Sequence, residues 1–126
     1  AGNDVSSRDI EGANPLYLPQ AKVFNGCCAL GRGIVLTDAA SMAALPVSLR
    51  IDRGGAEVFN SDTSITQMKR TLQELVDALF FELTMPGGAV LLTGAGIVPA
   101  DDFTLSVGDT VHICVGEVRL SNRVAT

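Results

Sequence analysis

The sequence contains no cluster of basic residues. Its nine lysines and arginines are outnumbered by fourteen aspartates and glutamates, giving a net charge of −5 and a pI near 4.6. With no basic patch to displace phosphate counterions, a nucleic-acid binder is excluded. An anionic membrane surface is disfavoured on the same ground. Cysteine is scarce: Cys27, Cys28 and Cys114 are odd in number and badly spaced for a disulfide framework, and no zinc spacing occurs. A reducing cytoplasm is therefore the expected compartment. No apolar run approaches the roughly 20 residues that span a bilayer, and no signal peptide is recognisable. A Glu-x-Glu pair is also absent from the whole chain.

What is present suffices for one folded unit. At 126 residues, 47% of them hydrophobic, the chain has material for a single domain, 1–126, able to remove about two thirds of its unfolded surface from water.

The stretch from Asn3 to Leu30 places an acid, an arginine, a tyrosine and its only lysine among glycine, proline and small polar residues. Such irregular composition predicts an ordered loop from Asp9 to Gln20, anchored by Leu16, Tyr17 and Leu18. Loops of this kind carry function when a rigid scaffold holds them. Asp4 and Lys22 stand out within it. A carboxylate is a hard oxygen ligand suited to magnesium, calcium or manganese, and a lysine beside a substrate can neutralise an oxyanion or exchange a proton. From spacing alone Asp4 reads first as a turn residue and Lys22 as a solvated charge.

Further along, Gly33–Thr37 (GIVLT) predicts a buried strand, and Asp38–Leu45 a polar start followed by an alanine-rich turn. Val47, Leu49 and Ile51 alternate with Ser48, Arg50 and Asp52, and the turn Arg53-Gly54-Gly55 leads to Asn60, so Val47–Asn60 predicts a β-hairpin. Arg50, Asp52 and Glu57 belong to its solvated face. Ser64-Ile65-Thr66-Gln67 has the form of a capping box. It predicts one long amphipathic helix from about Ile65 to Leu83, with Met68, Leu72, Leu75, Val76, Leu79 and Leu83 on the core stripe. Ala89–Thr93 predicts a strand running into the turn Gly94-Ala95-Gly96. That turn lets backbone amides approach an anion but fits no nucleotide fingerprint. Phe103–Leu105 and Thr110–Val115 are strand signals, and Gly116-Glu117 reverses the chain into Val118–Leu120. Cys27 and Cys28 are expected as buried structural residues. His112, alone on the polar side of a hairpin, receives no catalytic role. Several strands, one long helix and short turns give a mostly β, α+β fold.

Several motifs, in one order, match a known family. Asn3-Asp4-Val5-Ser6-Ser7-Arg8-Asp9, then Ala21-Lys22-Val23-Phe24-Asn25-Gly26 and Leu30-Gly31, with Leu91 to Pro99 and Leu105 to Asp109 further on, resemble the signature of the fumarylacetoacetate hydrolase superfamily. The resemblance extends from Gly2 to about Arg123. Arg8 to Lys22 (RDIEGANPLYLPQAK) looks most like the branch that dehydrates 2-keto-3-deoxy sugar acids such as the arabinonate or xylonate derivatives. It implies part of the family's mixed β-sandwich roll, with this chain as a carboxy-terminal portion that associates with a second copy or with a missing amino-terminal part. It also implies a Mg2+-dependent enzyme, with Mn2+ or Ca2+ as alternatives, acting on a small 2-oxo acid through a metal-stabilised enolate. In that scheme Asp4 is a metal ligand, Lys22 the catalytic residue, and Ser6, Arg8, Glu11, Tyr17, Gln20, Thr93, Gly94 and Ala95 substrate contacts. Arg8 has the alternative of holding the loop through Asp9 or another acid.

Three departures accompany the match. The family's Glu-x-Glu metal pair is missing, Ala95 stands where a threonine is common, and Arg32 follows Leu30-Gly31 where proline is usual. Dehydration is the expected reaction. C–C bond hydrolysis, decarboxylation or isomerisation within the family is the alternative, and so is a catalytically incomplete chain acting as a structural or carboxylate-binding domain.

Overall fold

The computed structural model describes residues 1–94 and 96–126. A four-stranded antiparallel sheet is its centre. The strands are β3 (Pro46–Arg53), β4 (Ala56–Ser64), β5 (Thr110–Val115) and β6 (Val118–Arg123), in the order β4-β3-β5-β6. Two shorter strands, β1 (Gly2–Asp4) and β2 (Cys28–Leu30), pair antiparallel as a separate ribbon. The helices are short: α1 (Arg8–Ala13), α2 (Leu18–Ala21), α3 (Ala39–Ala43) and α4 (Leu72–Phe80).

The register of the large sheet follows from its alternation. Val47, Leu49 and Ile51 of β3 face Val115, Ile113 and Val111 of β5, which in turn face Val118, Leu120 and Asn122 of β6. Opposed residues share a face, so the aliphatic side chains form one continuous apolar surface. Val47, Ile51 and Val111 are buried there. The hairpin predicted over Val47–Asn60 is present and extends to Ser64. Gly54 and Gly55 both have positive φ, +59° and +85°, the backbone that a tight turn between right-twisted strands demands. A register shift follows between Ile51 and Asp52.

One ion pair locks the end of this sheet. Asp109 is almost completely buried. It accepts from Arg53 Nε at 2.9 Å, from an Arg53 Nη at 2.8 Å and from the Ser106 amide at 2.8 Å. Arg53 also donates to the Thr104 carbonyl and lies 5.8 Å from the Phe103 ring centroid.

The remaining predicted elements are revised. The helix expected over Ile65–Leu83 is the nine-residue α4, preceded by a 3-10 turn at Ile65–Gln67. Ser64 still belongs to β4 and caps only that turn, and Met68 is extended, which ends it. The true N-cap is Thr71, whose capping box with Glu74 is complete. Leu72, Leu75, Val76 and Leu79 do fall within the helix. The loop expected over Asp9–Gln20 is instead α1, a 3-10 turn at Pro15–Tyr17 and α2. Pro15 is the first residue of its turn and Pro19 the second of α2, within the opening turn where proline's missing amide costs nothing, so they start helices instead of preventing them. Asp38 caps α3 through the Ser41 amide.

Gly33–Thr37, Ala89–Thr93 and Phe103–Leu105 form no strands. Apolar β-formers need a neighbouring strand, and none of the described residues supplies one. Ile34 and Leu36 are 90% and 95% exposed in consequence. Cys28 is exposed and Cys27 half-buried, which corrects the expectation of two buried thiols; all three cysteines are free.

The surface is large for the mass. At 13.1 kDa the chain exposes 9128 Å², against roughly 6,400 Å² for a compact monomer of that size. Ala21, Val47, Ile51 and Val111 are the only fully buried hydrophobic residues described. No helix among the described residues is long and apolar enough to cross a membrane.

Candidate active site

The ribbon of β1 and β2 brings the two outstanding residues together. β1 ends at Asp4, and beyond it the chain continues antiparallel to the segment that follows α2. The Val5 amide donates to the Cys27 carbonyl and the Ser7 amide to that of Ala21, each at 2.8 Å. Ala21 is wholly buried, so Lys22 is rooted in a fixed position opposite residues 4–7. Its ammonium lies 2.9 Å from Asp4 Oδ2 and donates to Ser6 Oγ at 2.6 Å. About a third of each side chain of the Asp4–Lys22 pair is exposed, which leaves this polar triangle open to a small molecule.

Two contacts tie the ribbon to the rest of the fold. Asn3 Nδ2 donates to Asn122 Oδ1 of β6 at 3.1 Å. A methyl group added at Gly2 would overlap the Leu92 side chain, so Leu92 packs against β1. Thr93 and Gly94 follow Leu92 in the chain, and no hydrogen bond among the described residues joins either to Asp4 or Lys22. Thr93 Oγ1 makes only a long contact of 3.4 Å to the Gly94 carbonyl. Gly94 has φ +75°, a conformation that suits glycine. Ala95 lies outside the described residues.

The other predicted contact residues sit on the adjoining helices. Arg8 opens α1 and pairs with Asp101 at 2.7 Å, so it is an acid on a distant turn, and not Asp9, that engages it. Arg8, Asp9, Glu11, Gly12 and Asp101 line an open concavity of about 510 Å³. Asp4 and Lys22 do not line it. Tyr17 and Gln20 are exposed, at the end of the 3-10 turn and in α2, with no side-chain hydrogen bond among the described residues. Asp101 was not foreseen, since nothing in the sequence links two charges 93 residues apart.

A second polar group lies on the outer face of the sheet. His112 Nδ1 is 2.7 Å from Ser121 Oγ and its Nε2 is 3.1 Å from Asp52 Oδ2, which also receives Arg50 at 3.0 Å. Arg50 and Asp52, expected as a solvated face, are thus partnered with one another within β3, and Asp52 also with His112 of β5.

Asp4 is the right type of ligand for magnesium, and its Oδ1 accepts no hydrogen bond from the described residues. Mg2+ requires about six oxygens in near-ideal octahedral geometry. Among the described residues no three His, Cys, Asp or Glu side chains gather to hold a metal. The residues present fit one protein ligand of such a site, with a cation alongside for the substrate.

Fold and site together define an α+β, mostly β domain, and its family is settled by sequence: the chain belongs to the fumarylacetoacetate (FAA) hydrolase C-terminal family, whose profile matches residues 1–125. Among curated proteins it is similar to a probable 2-keto-3-deoxyxylonate dehydratase of Haloferax volcanii, 45% identical over 127 residues, covering 99% of this chain and 44% of that protein. It is also similar to the 2-dehydro-3-deoxy-D-arabinonate dehydratase of Saccharolobus solfataricus, 38% identical over 117 residues, covering 92% of this chain and 39% of that one. A solved structure of 2-keto-3-deoxy-D-arabinonate dehydratase complexed with magnesium and 2,5-dioxopentanoate superposes with a TM-score of 0.92 at 37% identity, over 98% of this chain and 45% of that one. The chain thus spans less than half the length of these relatives.

Proposed function

We propose that this chain forms part of a Mg2+-dependent dehydratase acting on a 2-keto-3-deoxy sugar acid, in which Asp4 holds the metal and Lys22 serves the reacting oxygen. The observation that carries this reading is the contact of Lys22 with both Asp4 and Ser6 at the open edge of the β1–β2 ribbon. The names of the similar proteins, and the magnesium and 2,5-dioxopentanoate in one of them, support the substrate class.

When bound, the metal supplies a Lewis acid for the oxygens of a 2-oxo acid. The chain's own residues supply the rest. Transfer of a proton from the carbon beside the carbonyl to a general base, which returns it to the departing hydroxyl, places negative charge on the keto oxygen, and the Lys22 ammonium, held against Asp4, can face it. The electron pair then moves to form a carbon–carbon double bond, and the hydroxyl one carbon further on leaves as water on gaining a proton. To Arg8, Glu11, Tyr17 and Gln20, which lie on α1, α2 and the turn between them, we assign the contacts with the polyol. Thr93 and the Gly94 amide, with Ala95, serve the carboxylate. C–C hydrolysis, decarboxylation or isomerisation would use the same Asp4 and Lys22.

One carboxylate is a weak hold on magnesium, whose other ligands are water, substrate oxygens and the further carboxylates we assign to protein beyond these residues, so the isolated chain is inactive. The same additional protein, or a second copy, covers the exposed apolar surface. Calorimetry with oxalate or pyruvate tests the metal dependence. Binding that requires magnesium supports an enzyme site, whereas binding indifferent to it supports a simple carboxylate-binding module. In the catalytically complete protein, Asp4→Asn weakens magnesium binding severely, and Lys22→Ala retains magnesium but loses turnover. Normal activity in either variant overturns the assignment.

A further inference from the structure

We infer that Ser6 is a positioning residue that fixes the Lys22 ammonium, so that Lys22 remains in place when Asp4 is engaged by a metal; this rests on the reading of Asp4 and Lys22 above. A lysine head sits on a flexible four-carbon stem, and holding it costs up to about 2 kcal/mol of rotamer entropy. Function at one oxygen atom therefore needs tethers. Two are present: Asp4 Oδ2 at 2.9 Å and Ser6 Oγ at 2.6 Å.

The two tethers differ in what else they must do. A carboxylate that ligates magnesium gives up lone pairs and much of its negative charge to the ion, which weakens its hold on the ammonium. The serine hydroxyl is neutral and is not drawn away in this manner. Its place is fixed by backbone, because Val5 and Ser7 on either side both donate to the 21–27 segment at 2.8 Å. The contact therefore survives metal loading when the Asp4 contact loosens.

Donor arithmetic shows what the arrangement leaves free. An ammonium has three N–H donors and no acceptor. One is directed to Asp4 and one to Ser6, so a third has no acceptor among the described residues. Ser6 accepts in this contact, so its own O–H also remains unspent. Two free donors on neighbouring atoms, beside a metal ligand, suit an oxygen that gains negative charge during the reaction.

The test has a spectroscopic and a kinetic arm. The sequence contains two lysines, Lys22 and Lys69, so 15N-lysine NMR of this chain gives two ammonium environments, and the Lys22→Arg variant identifies one of them. The Lys22 protons should exchange faster in Ser6→Ala, where Asp4 is the one remaining tether, than in the wild type or Ser6→Thr. In the catalytically complete protein, assayed with 2-keto-3-deoxy-D-arabinonate, Ser6→Ala should lower kcat about 10- to 100-fold, the value of a hydrogen bond to a charged group. KM and magnesium affinity should be unchanged, and Ser6→Thr should recover most of kcat. If Ser6→Ala does not fold, Ser6→Cys removes the strong acceptor at nearly constant shape and is read in the same way.

Unchanged kcat in Ser6→Ala, with Lys22→Ala inactive, overturns the role of Ser6 and leaves that of Lys22 intact. Equal losses in fold, metal affinity and kcat that threonine does not restore also overturn it, in favour of a structural serine. Full activity in Lys22→Ala overturns the underlying functional reading instead.

Discussion

At the scale of single residues, the best-defined charge is Asp109, and it lies away from the candidate site. Hydrogen bonds from the Arg53 guanidinium, joined by the Ser106 amide, hold its carboxyl below the usual range against the opposing effect of burial. A carboxyl whose folded pKa is depressed contributes stability above its unfolded pKa, and that contribution is lost as pH falls through the folded value. Thermal melts should therefore show a fall in stability below about pH 4 that is blunted in Asp109→Asn. At neutral pH, Asp109→Ala should cost about 2 kcal/mol, as expected for losing hydrogen bonds to a charged group. A flat acid limb in the wild type would contradict this. Asp109 and Arg53 also show what sequence reasoning reaches at this scale. Asp109 was visible within Leu105-Ser106-Val107-Gly108-Asp109, but its partner sits in a hairpin turn 56 residues earlier, where an arginine looks like an ordinary surface residue. Asp4 and Lys22 could be singled out because their motif surrounds them. Their contact with one another was not legible, since no periodicity links them.

Among the secondary elements, α4 is the clearest lesson in competing signals. Two capping boxes stand in the sequence, Ser64 to Gln67 and Thr71 to Glu74. The first lost because Ser64 is paired with Pro46 in the sheet, and only the second was free to start an α-helix. Thr71 Oγ1 accepts from the Glu74 amide, and the Glu74 carboxylate accepts from the Thr71 amide at 2.7 Å, which lowers the Glu74 pKa. Thr71→Ala should destabilise the helix by about 1 kcal/mol, seen as faster amide exchange over Leu72–Phe80 with the sheet unaffected. Uniform loss of protection across the chain would instead make α4 integral to the core. The hairpins were legible because their partners are local and their turns carry glycine. Gly33–Thr37 and Ala89–Thr93 were misread because a strand is a property of two segments. Their composition is that of strands, but no second segment is at hand.

For the whole molecule, the excess of exposed surface is the leading property. Ile34 and Leu36 stand almost fully in water, and apolar patches of this kind mark surfaces that other protein covers. The isolated chain should therefore sediment above its 13.1 kDa monomer mass in a concentration-dependent manner, and an Ile34→Glu, Leu36→Glu double variant should shift it toward the monomer. A strictly monomeric wild type across the accessible range would refute that. The mostly β character was readable from the alternation of Val47 to Ile51 and of Thr110 to Val115. The large exposed surface was not, because it depends on which segments meet.

The Arg8–Asp101 bridge across the open concavity has one further implication, in the matter of ionic strength. Asp101 is fully exposed, so only mobile ions in the surrounding water modulate its attraction for Arg8, and at 1 M salt the screening length falls to about 3 Å. The span between α1 and the turn at Asp101 should therefore loosen as electrolyte rises, while the Arg53–Asp109 pair, whose carboxylate is buried, holds.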